Sequence, residues 1–361
     1  MKIVHVTNHF WPCIGGIETA VENLAKEQLK KHEVTIICLN KCAKGKTTLA
    51  KKEIYHGIEI HRFSFINLKY YLIAFGVLKE IKKYDVVHIH GLGFLSDFIL
   101  ATKFFHKKPI IVNTHGGIFH TNPNQWIKKL YFFGLESILL SNADWTIADS
   151  KNDLKLFSKI ISPQKIKVIP NAIDLEKFRR KKTNKQSNTF LFVGRFSKNK
   201  RIDKLIELFK SLLKEIPNAQ LWIVGRDFDG IQNNLKNQVR TLNLEKAITF
   251  FENIEKNELI QMYARADYFI SASEYEAFGV SAIEAMAANC IPILSKIDSF
   301  EEFVETKKSG LSIDFKESEI ASAIINYIQT INKEKTYIEI QKRIEKFSPT
   351  SVAEKVEKIY R

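Results

Sequence analysis

The chain has 361 residues, of which 45% are hydrophobic and 26% are charged, and its formal net charge is +15. This length predicts two globular domains, each with its own core. The longest apolar run, from Tyr70 to Leu78, is far shorter than the roughly 20 residues that a membrane-spanning helix requires. The opening MKIVHVTNHFWP is typical of a first β-strand rather than of an export signal, so we expect a cytoplasmic protein.

The positive charge is unevenly distributed along the chain. Residues 1–190 contain 30 Lys and Arg against 15 Asp and Glu, whereas residues 191–361 contain 25 of each kind. This asymmetry predicts that the first half faces an anionic partner, either a membrane surface or nucleic acid. A lysine-rich, solvated face is the alternative.

Four cysteines are present, and none of them forms a CxxC pair or another zinc-binding spacing. Disulfides are rare in cytosolic proteins, so we expect all four to be buried thiols. They are Cys13, Cys38, Cys42 and Cys290.

Apolar segments typical of buried strands alternate with amphipathic helical patterns in both halves, which predicts an α/β protein with two doubly wound parallel sheets. We assign residues 1–172 and 189–344 to the two domains and 173–188 to a linker, and expect a helix near 345–361 to pack back onto the first domain. The ligand is expected in a cleft that faces the carboxyl ends of the strands. The predicted strands are KIVHVTN, EVTIICLN, DVVHIHG, PIIVNTH, DWTIADS and KVIPN, then TFLFVGR, QLWIVG, ITFFENI, DYFISAS and IPILS.

Two strand-to-helix junctions carry features that suit a phosphate group. Gly15 and Gly16 precede the first predicted helix, where bare backbone N–H groups and the positive end of the helix favour an anion. Arg195 and Lys200 flank the corresponding junction of the second half and predict a diphosphate clamp. The alternatives are a simple tight turn and a solvated basic loop.

The stretch EYEAFGVSAIEAMA places Glu276 in a loop and Glu284 one turn inside the following helix. Eight positions of continuous helix span about 12 Å, whereas a retaining glycosidase holds its two carboxyl groups about 5 Å apart. An acid and base pair is therefore excluded. Two contacts on one elongated ligand remain, with the backbone N–H groups of Phe278, Gly279 and Val280 between them, beside the alternative that both acids only complement the helix N-terminus.

Three histidines stand out in the first half. His115 ends a strand and precedes two glycines, so we expect it to lie close to the ligand. His88 and His90 share one face of a strand, and at least one of them is expected to be structural. No carboxylate accompanies them at metal-ligand spacing, so we expect no metal.

These motifs resemble those of retaining glycosyltransferases of family 4, which have the GT-B fold. GGIE, HIHG, THGG, VIPNAID, VGRFSKNK and EAFGVSAIEAM occur here in the order typical of that family, over residues 1 to about 330. The resemblance implies two Rossmann-like domains that face each other across a cleft, transfer from a nucleotide-diphosphate sugar with retention of configuration, and no metal or other cofactor.

The resemblance also implies roles for individual residues. Gly15, Gly16, Arg195 and Lys200 would bind the donor diphosphate, and Glu284 would hold the ribose hydroxyls. Phe278, Gly279 and Val280 would border the donor sugar, and His115 and Glu276 would lie at the reacting centre. Glu252 and Ile254 would line the base pocket.

Several positions depart from the family pattern by replacing a glycine. This puts the local backbone path and the base pocket in doubt, while the phosphate and sugar contacts are kept. The departures are Ala172, Arg201, Glu252, Asn289 with Cys290, and Asp298 with Ser299.

Basic and aromatic residues interleave at residues 65–83 and 125–133, where amphipathic helices on an anionic bilayer are one interpretation and core-facing helices the other. THGGIFHTNPNQWIKKLYF resembles α-mannosyltransferases that extend polyprenyl-diphosphate oligosaccharides. We therefore expect GDP-mannose as the donor, a lipid-linked glycan as the acceptor, and a peripheral position on the cytoplasmic face of the inner membrane. A UDP-sugar donor, a nucleotide-sugar 2-epimerase, a non-catalytic sugar-nucleotide sensor and a nucleic-acid-binding protein are the alternatives, the last without any recognised binding motif.

Overall fold

The computed structural model describes residues 1–13, 15–42, 47–68, 72–93, 95–116, 125–179, 185–276, 278–316 and 319–361. The chain forms two compact units. The first comprises Met1–Ala172 together with Phe347–Arg361, and the second comprises Ile173–Lys346. The α/β class predicted from the sequence is confirmed in both units.

The strands are β1 (Lys2–Val6), β2 (Glu33–Leu39), β3 (Lys52–Tyr55), β4 (Ile58–Phe63), β5 (Ile66–Asn67), β6 (Leu72–Ile73), β7 (Val86–His90), β8 (Ile110–Asn113), β9 (Trp145–Ala148), β10 (Ile166–Val168), β11 (Gln186–Val193), β12 (Gln220–Gly225), β13 (Ile248–Glu252), β14 (Ala266–Ser271), β15 (Ile291–Ser295) and β16 (Leu311–Ile313). The α-helices are α1 (Gly16–Gln28), α2 (Phe75–Ile81), α3 (Leu95–Ala101), α4 (Lys103–His106), α5 (Gln125–Tyr131), α6 (Ser137–Ser141), α7 (Lys151–Phe157), α8 (Glu176–Arg179), α9 (Ile202–Glu215), α10 (Gln232–Thr241), α11 (Lys256–Arg265), α12 (Val280–Ala287), α13 (Asp298–Glu301), α14 (Ile320–Thr330), α15 (Lys333–Ile344) and α16 (Pro349–Tyr360). A π-helix at Phe132–Glu136 joins α5 to α6.

In the first unit, eight of the described strands form one sheet in the order β10-β9-β8-β7-β1-β2-β4-β3, in which only the β3–β4 pair is antiparallel, and β5 and β6 pair separately. Apolar clusters cover both faces of this sheet, as the near-continuous hydrophobic strands require. Because β1, β7 and β8 are parallel neighbours, their carboxyl ends meet at one edge of the sheet.

The C-terminal helix α16 belongs to the first unit. Its N-terminus is capped by Ser348, whose hydroxyl accepts a hydrogen bond from the backbone N–H of Ser351 at 3.3 Å. Val356 and Tyr360 pack into the cluster that covers α1, and Thr350 donates a hydrogen bond to Glu27 of α1 at 3.1 Å. The last residues of the chain thus help to build the first core.

In the second unit, the described strands form a parallel sheet in the order β13-β12-β11-β14-β15-β16. The ends of β11 and β12 approach so closely that a Cβ atom at Gly225 would lie 1.9 Å from the carbonyl oxygen of Gly194. Only glycine fits at position 225, and the close approach fixes where the chain leaves β11 towards Arg195.

Every strand predicted from the sequence is present, whereas β3, β4, β5, β6 and β16 were not predicted. The amphipathic-helix interpretation of residues 65–83 is wrong for most of that stretch. Ile66–Asn67 pairs with Leu72–Ile73 in a short hairpin, and α2 covers only Phe75–Ile81. No α-helix in the described parts of the chain is long and apolar enough to cross a membrane.

The expectation of four thiols is wrong for Cys13 and Cys42, which form a disulfide with their Cα atoms 5.7 Å apart. The two cysteines follow β1 and β2, and parallel neighbouring strands deliver their following loops to the same edge of the sheet. Cys38 and Cys290 are buried thiols, as expected.

Candidate functional site

Lys200 and Glu276 form an ion pair in the second unit. Lys200 ends a short 3-10 turn between β11 and α9, and Glu276 lies in the loop between β14 and α12. The Ser273 hydroxyl donates a second hydrogen bond to the same Glu276 oxygen at 3.0 Å. Both charged side chains are mostly buried. Lys200, predicted to bind phosphate, and Glu276, predicted to bind the sugar, therefore neutralise each other's charge within the second unit.

The loop that carries Glu276 leads into α12 as the sequence predicted, since the helix begins at Val280 and Glu284 lies one turn inside it. Gly279 caps the helix with a φ of +88°, and a Cβ atom there would lie 2.8 Å from the Phe300 ring. Phe278 is buried, at 6% exposure. Glycine is therefore required for the backbone N–H groups of this turn to be presented as they are.

Glu284 accepts a hydrogen bond from the Tyr263 hydroxyl at 3.0 Å. Burial raises the pKa of Glu284 to about 7, and the Tyr263 hydrogen bond and the charges of Lys256 and Lys177 oppose that rise. Burial and the neighbouring Lys256 together lower the pKa of Lys177 to about 8. Glu284 is thus poised to change its protonation state near neutral pH.

Arg195 follows β11 and is exposed to solvent. Its guanidinium group lies 4.5 Å from the centre of the Phe228 ring. Within the described residues, no carboxylate forms an ion pair with Arg195. Its charge is therefore available to an anion at the same junction that holds Lys200.

Glu252 and Ile254 were predicted to line the base pocket, and the exposed Glu252 carboxylate is hydrogen-bonded to other side chains of the second unit. Glu252 ends β13 and accepts hydrogen bonds from Lys236, at 3.0 Å, and from Gln232. The hydrogen bond from Lys236 is the main cause of a lowered Glu252 pKa. Ile254 is partly exposed. The role of both residues stays a prediction.

Two of the positions that depart from the family pattern keep a backbone that favours glycine. Arg201 has a φ of +49° and Asn289 a φ of +59°. The Arg201 guanidinium is bound by Glu274 at 2.5 Å and by Asp203 at 3.1 Å, so side-chain contacts hold it in place. The left-handed turn before α9, and with it the position of Lys200, survives without a glycine.

In the first unit, Gly15 caps α1 and Gly16 is its first residue. The Glu18 carboxylate lies at this N-terminus, since its Oε2 atom would lie 2.5 Å from a Cβ at Gly15. Burial raises the Glu18 pKa, and the nearby backbone of Glu18 and Gly15 opposes that rise. This placement of Glu18 is the reciprocal half of a capping box. The glutamate three positions after the N-cap is the sequence signal for this arrangement, which was not predicted.

His115 has a φ of +46°, an uncommon conformation for a residue other than glycine and one that clusters at functional sites. Its side chain is nevertheless buried. Nδ1 lies 3.2 Å from the Asp149 carboxylate, and Nε2 lies 3.1 Å from Nδ1 of His90. His115 also borders a small cavity with Asn113 and Asn171, so it lies at the carboxyl edge of the sheet, as its place after β8 predicts.

His5, His88 and His90 form a buried cluster whose ring nitrogens lie within 4.8 Å of one another. Three imidazoles at this spacing are a possible ligand set for a transition metal. However, Nδ1 of His5 and Nε2 of His90 are only 2.8 Å apart, which is a hydrogen-bond distance and closer than two ligands on one tetrahedral zinc would lie. The cluster fits a hydrogen-bonded chain better than a metal site.

Two family models match consecutive parts of the chain. Residues 14–177 match "Glycosyltransferase Family 4", and residues 174–346 match "Glycosyl transferases group 1". Together they span both units.

Among curated relatives, GDP-mannose:cellobiosyl-diphosphopolyprenol alpha-mannosyltransferase of Xanthomonas campestris is 33% identical over 317 residues, which cover 87% of this chain and 83% of the relative. The protein of the same name from Komagataeibacter xylinus is 28% identical, with coverage of 87% and 80%.

Among solved structures, HepE from Anabaena in complex with UDP aligns with a TM-score of 0.79 and 20% identity, and 99% of each chain is covered. Sucrose-phosphate synthase from Thermosynechococcus elongatus aligns with a TM-score of 0.72 and 19% identity, covering 100% of this chain and 98% of the other. These likenesses establish the GT-B fold.

Proposed function

Because the chain belongs to glycosyltransferase family 4, we propose that it transfers mannose from GDP-mannose to a polyprenyl-diphosphate-linked saccharide. The chain is a hexosyltransferase of the GT-B fold. The donor and acceptor are proposed from relatives that span most of both chains and whose names specify GDP-mannose and cellobiosyl-diphosphopolyprenol.

The ion pair between Lys200 and Glu276 is the observation that carries the site proposal. A donor diphosphate has more charge and more acceptor oxygens than one carboxylate, so it can replace Glu276 on the Lys200 ammonium. Arg195, exposed at the same junction, adds a second cation. Glu276 is then released to accept hydrogen bonds from sugar hydroxyls, while Glu284 takes the ribose hydroxyls.

In this arrangement the leaving nucleotide diphosphate is stabilised by fixed cations and backbone N–H groups, which requires no metal. The α-configuration of the donor is retained in the product. The backbone N–H groups of Gly279 and Val280 would contribute to the same anion stabilisation. The roles of Gly15, Gly16 and His115 in the first unit are proposed from the family resemblance.

The proposal is tested by offering purified protein GDP-mannose or UDP-glucose together with a polyprenyl-diphosphate-linked cellobiose. We expect addition of one α-linked hexose, detected by mass spectrometry and NMR, from GDP-mannose and at least tenfold less product from UDP-glucose. More product from UDP-glucose would show that the proposed donor is wrong, while the chain would still be a hexosyltransferase. Donor hydrolysis or epimerisation without transfer would reject the proposed function.

We further propose that the first unit docks on the cytoplasmic surface of the cell membrane through the helical segment Gln125–Ser141. Trp126, Leu130, Phe133 and Ile138 are between 52% and 70% exposed, and the first three recur at the i, i+4, i+7 spacing of one helix face. Exposed apolar rows of this kind mark contact surfaces.

The opposite side of this segment is buried, where Phe132, Leu139 and Leu140 pack into the core and a cluster of polar side chains lies beside them. The Tyr131 hydroxyl lies 2.5 Å from the carboxylates of both Asp97 and Glu136. Burial raises the pKa of Glu136 to about 7 and also raises that of Asp97. These contacts of Tyr131 hold the buried side of the segment against the unit, so that Trp126, Leu130 and Phe133 face the solvent.

Charge supports a lipid partner for the exposed row. Lys129 lies on the same segment, whereas the neighbouring Lys103 of α4 is paired with Asp144 at 2.6 Å and donates to the carbonyl of Asn142 at 2.8 Å. Next to Lys103, Phe104 and Phe105 are also exposed. Lysines among exposed aromatic residues are typical of surfaces that bind anionic bilayers.

Sedimentation with phosphatidylglycerol-containing vesicles tests this docking surface. Replacing Trp126, Leu130 and Phe133 together by Ser should reduce vesicle binding at least tenfold, because the inserted apolar area is lost. The matched control is Ile54→Ser, since Ile54 is 75% exposed on β3 of the same unit. Equal binding by the triple variant and the control would reject the surface.

A further inference from the structure

Buried hydrogen bonds connect His115 to the far end of the first unit. From Asp149 the chain of contacts passes through His115 at 3.2 Å, His90 at 3.1 Å, His5 at 2.8 Å and Gln28 at 2.7 Å. The Gln28 side chain also lies 3.3 Å from the hydroxyl of Tyr360, which lies 2.7 Å from Nδ1 of His88. The strands β1, β7 and β8 supply the histidines, and α1 and α16 supply the far end.

Protons along such a chain must all point in one direction. A neutral imidazole has one N–H donor and one acceptor nitrogen, so the role of one ring nitrogen fixes the role of the other. Burial lowers the pKa of His5 to about 4 and that of His90 well below its ordinary value, so both rings are neutral. The groups at the two ends of this hydrogen-bond chain, Asp149 and Gln28, therefore decide the direction in which its protons point.

At one end, the Asp149 carboxylate can only accept hydrogen bonds, and Asn171 already donates one to it at 2.7 Å. A neutral His115 must then donate from Nδ1 to Asp149 and accept at Nε2 from His90. By the same rule His90 accepts from His5, and His5 accepts at Nε2 from the amide group of Gln28.

Gln28 lies at the other end of the hydrogen-bond chain. Its amide oxygen and amide nitrogen have nearly the same shape, so hydrogen bonding decides which of the two atoms faces His5. With the amide nitrogen towards His5, the Gln28 oxygen accepts from Tyr360, which accepts in turn from Nδ1–H of His88. His88 Nε2 has no partner within the described residues. This orientation leaves it a bare acceptor, whereas the opposite orientation leaves a buried N–H without a partner, which costs more.

We propose that Gln28 and Tyr360 are positioning residues that, together with Asp149, align every proton of this chain towards Asp149 and hold His115 as a neutral imidazole with its proton on Nδ1. His115 then brings no positive charge to a donor diphosphate, and its ring is fixed at both nitrogens. The cations of the donor site belong to the second unit, at Arg195 and Lys200. The activity readout rests on the proposed function, whereas the proton positions do not.

NMR of histidine-labelled protein tests the proposal, because ¹⁵N shifts separate the two neutral tautomers from the imidazolium. In the unmodified protein we expect the Nδ1–H form at His5, His90 and His115. An imidazolium at His115, the Nε2–H form at His90, or one equivalent of bound zinc by elemental analysis would overturn the proposal.

Gln28→Glu provides the second test, since a carboxylate only accepts hydrogen bonds. It should force the Nε2–H form on His5 and His90 and convert His115 to an imidazolium, without any change in shape at position 28. Gln28→Met, of similar volume and without a hydrogen bond to His5, should remove the alignment and let His5 and His90 populate both neutral tautomers. Unchanged tautomers in a folded Gln28→Glu protein would overturn the proposal.

The activities of Gln28→Glu and Gln28→Met distinguish a role of Gln28 in aligning protons from a purely structural role. We expect Gln28→Glu to lower kcat at least tenfold with an unchanged KM for GDP-mannose, and Gln28→Met to lower it less. Equal losses in both variants would assign Gln28 a structural role only. Absence of transfer in the unmodified protein would reject the proposed function and leave the NMR result standing.

Discussion

The two units hold their candidate site residues in different ways. In the second unit, Lys200 and Glu276 lie at two strand-to-helix junctions and pair with each other, and Glu284, one turn inside α12, is bound by Tyr263 of the preceding helix α11. In the first unit, His115 is held by a chain of buried groups that extends to Tyr360 at the end of the sequence. The comparison teaches that the donor-binding motifs are largely local, whereas the state of His115 depends on the whole fold of its unit.

The largest expected effect comes from Glu276→Gln. Loss of the carboxylate should lower kcat about 10²–10³-fold, because a group at the reacting centre is removed. GDP should bind about threefold more tightly, because Lys200 loses the anion that competes with the diphosphate. Steady-state kinetics and calorimetry measure the two effects. The control is Glu274→Gln, an exposed neighbour paired with Arg201, and a parallel loss in both variants would refute the exchange of partners.

Gly279→Ala should destabilise the second unit by about 2–3 kcal/mol, because alanine is strained at a φ of +88° and its Cβ would meet the Phe300 ring. Gly230→Ala separates the two causes, since Gly230 has a φ of +70° and open space around it. We expect that control to cost about 1 kcal/mol. Chemical denaturation measures both variants, and equal losses would show that packing at α12 is unimportant.

Glu284→Gln should change the pH dependence of stability. The folded-state pKa of Glu284 is raised by burial to about 7, so its contribution to stability is complete below its unfolded pKa and is lost as pH rises towards 7 and above. The unfolding free energy of the unmodified protein should therefore fall relative to the variant between about pH 4.5 and 8, by on the order of 2 kcal/mol. Parallel curves would contradict the burial of this carboxylate.

The same titration should appear in nucleotide binding. If the ionised Glu284 carboxylate accepts the ribose hydroxyls, GDP affinity should increase from pH 6 to 8 in the unmodified protein and stay flat in Glu284→Gln. Tyr263→Phe, which removes the hydrogen bond to Glu284, should shift the increase to higher pH. A flat profile in the unmodified protein would place the ribose elsewhere.

The smallest expected effect concerns Glu18. Its carboxylate occupies the N-terminus of α1, where a diphosphate would have to bind, so Glu18→Gln should strengthen GDP binding about two- to threefold. Glu22→Gln is the matched control, because Glu22 lies one turn further along α1 and pairs with Lys26. Weaker binding by Glu18→Gln, or an equal gain in the control, would show that Glu18 does not block the site.

Much of the fold and part of the site follow from sequence patterns. Apolar runs such as those of β1 and β7 predict buried parallel strands, and the loop-then-helix pattern around Gly279 placed Glu276 and Glu284 correctly relative to α12. Family resemblance then assigned their roles. These features depend on residues that are neighbours along the chain.

The remainder depends on contacts between distant residues. The pairing of Lys200 with Glu276 spans 76 positions, and the contact of Gln28 with Tyr360 spans 332. No local pattern marks either of them. The Cys13–Cys42 disulfide likewise depends on two loops that meet only because β1 and β2 are parallel neighbours, and the spacing of the cysteines along the chain does not show this.

Calorimetric titration of GDP into the unmodified protein and Lys200→Ala tests the central claim most directly, namely that the second unit binds the donor diphosphate through Lys200. We expect at least tenfold weaker binding by Lys200→Ala, because a mostly buried cation is lost from the phosphate site. The control is Lys204→Ala, since Lys204 is half-exposed on α9 and pairs with Glu207 at 2.8 Å. Unchanged GDP affinity in a folded Lys200→Ala protein would contradict the proposed site.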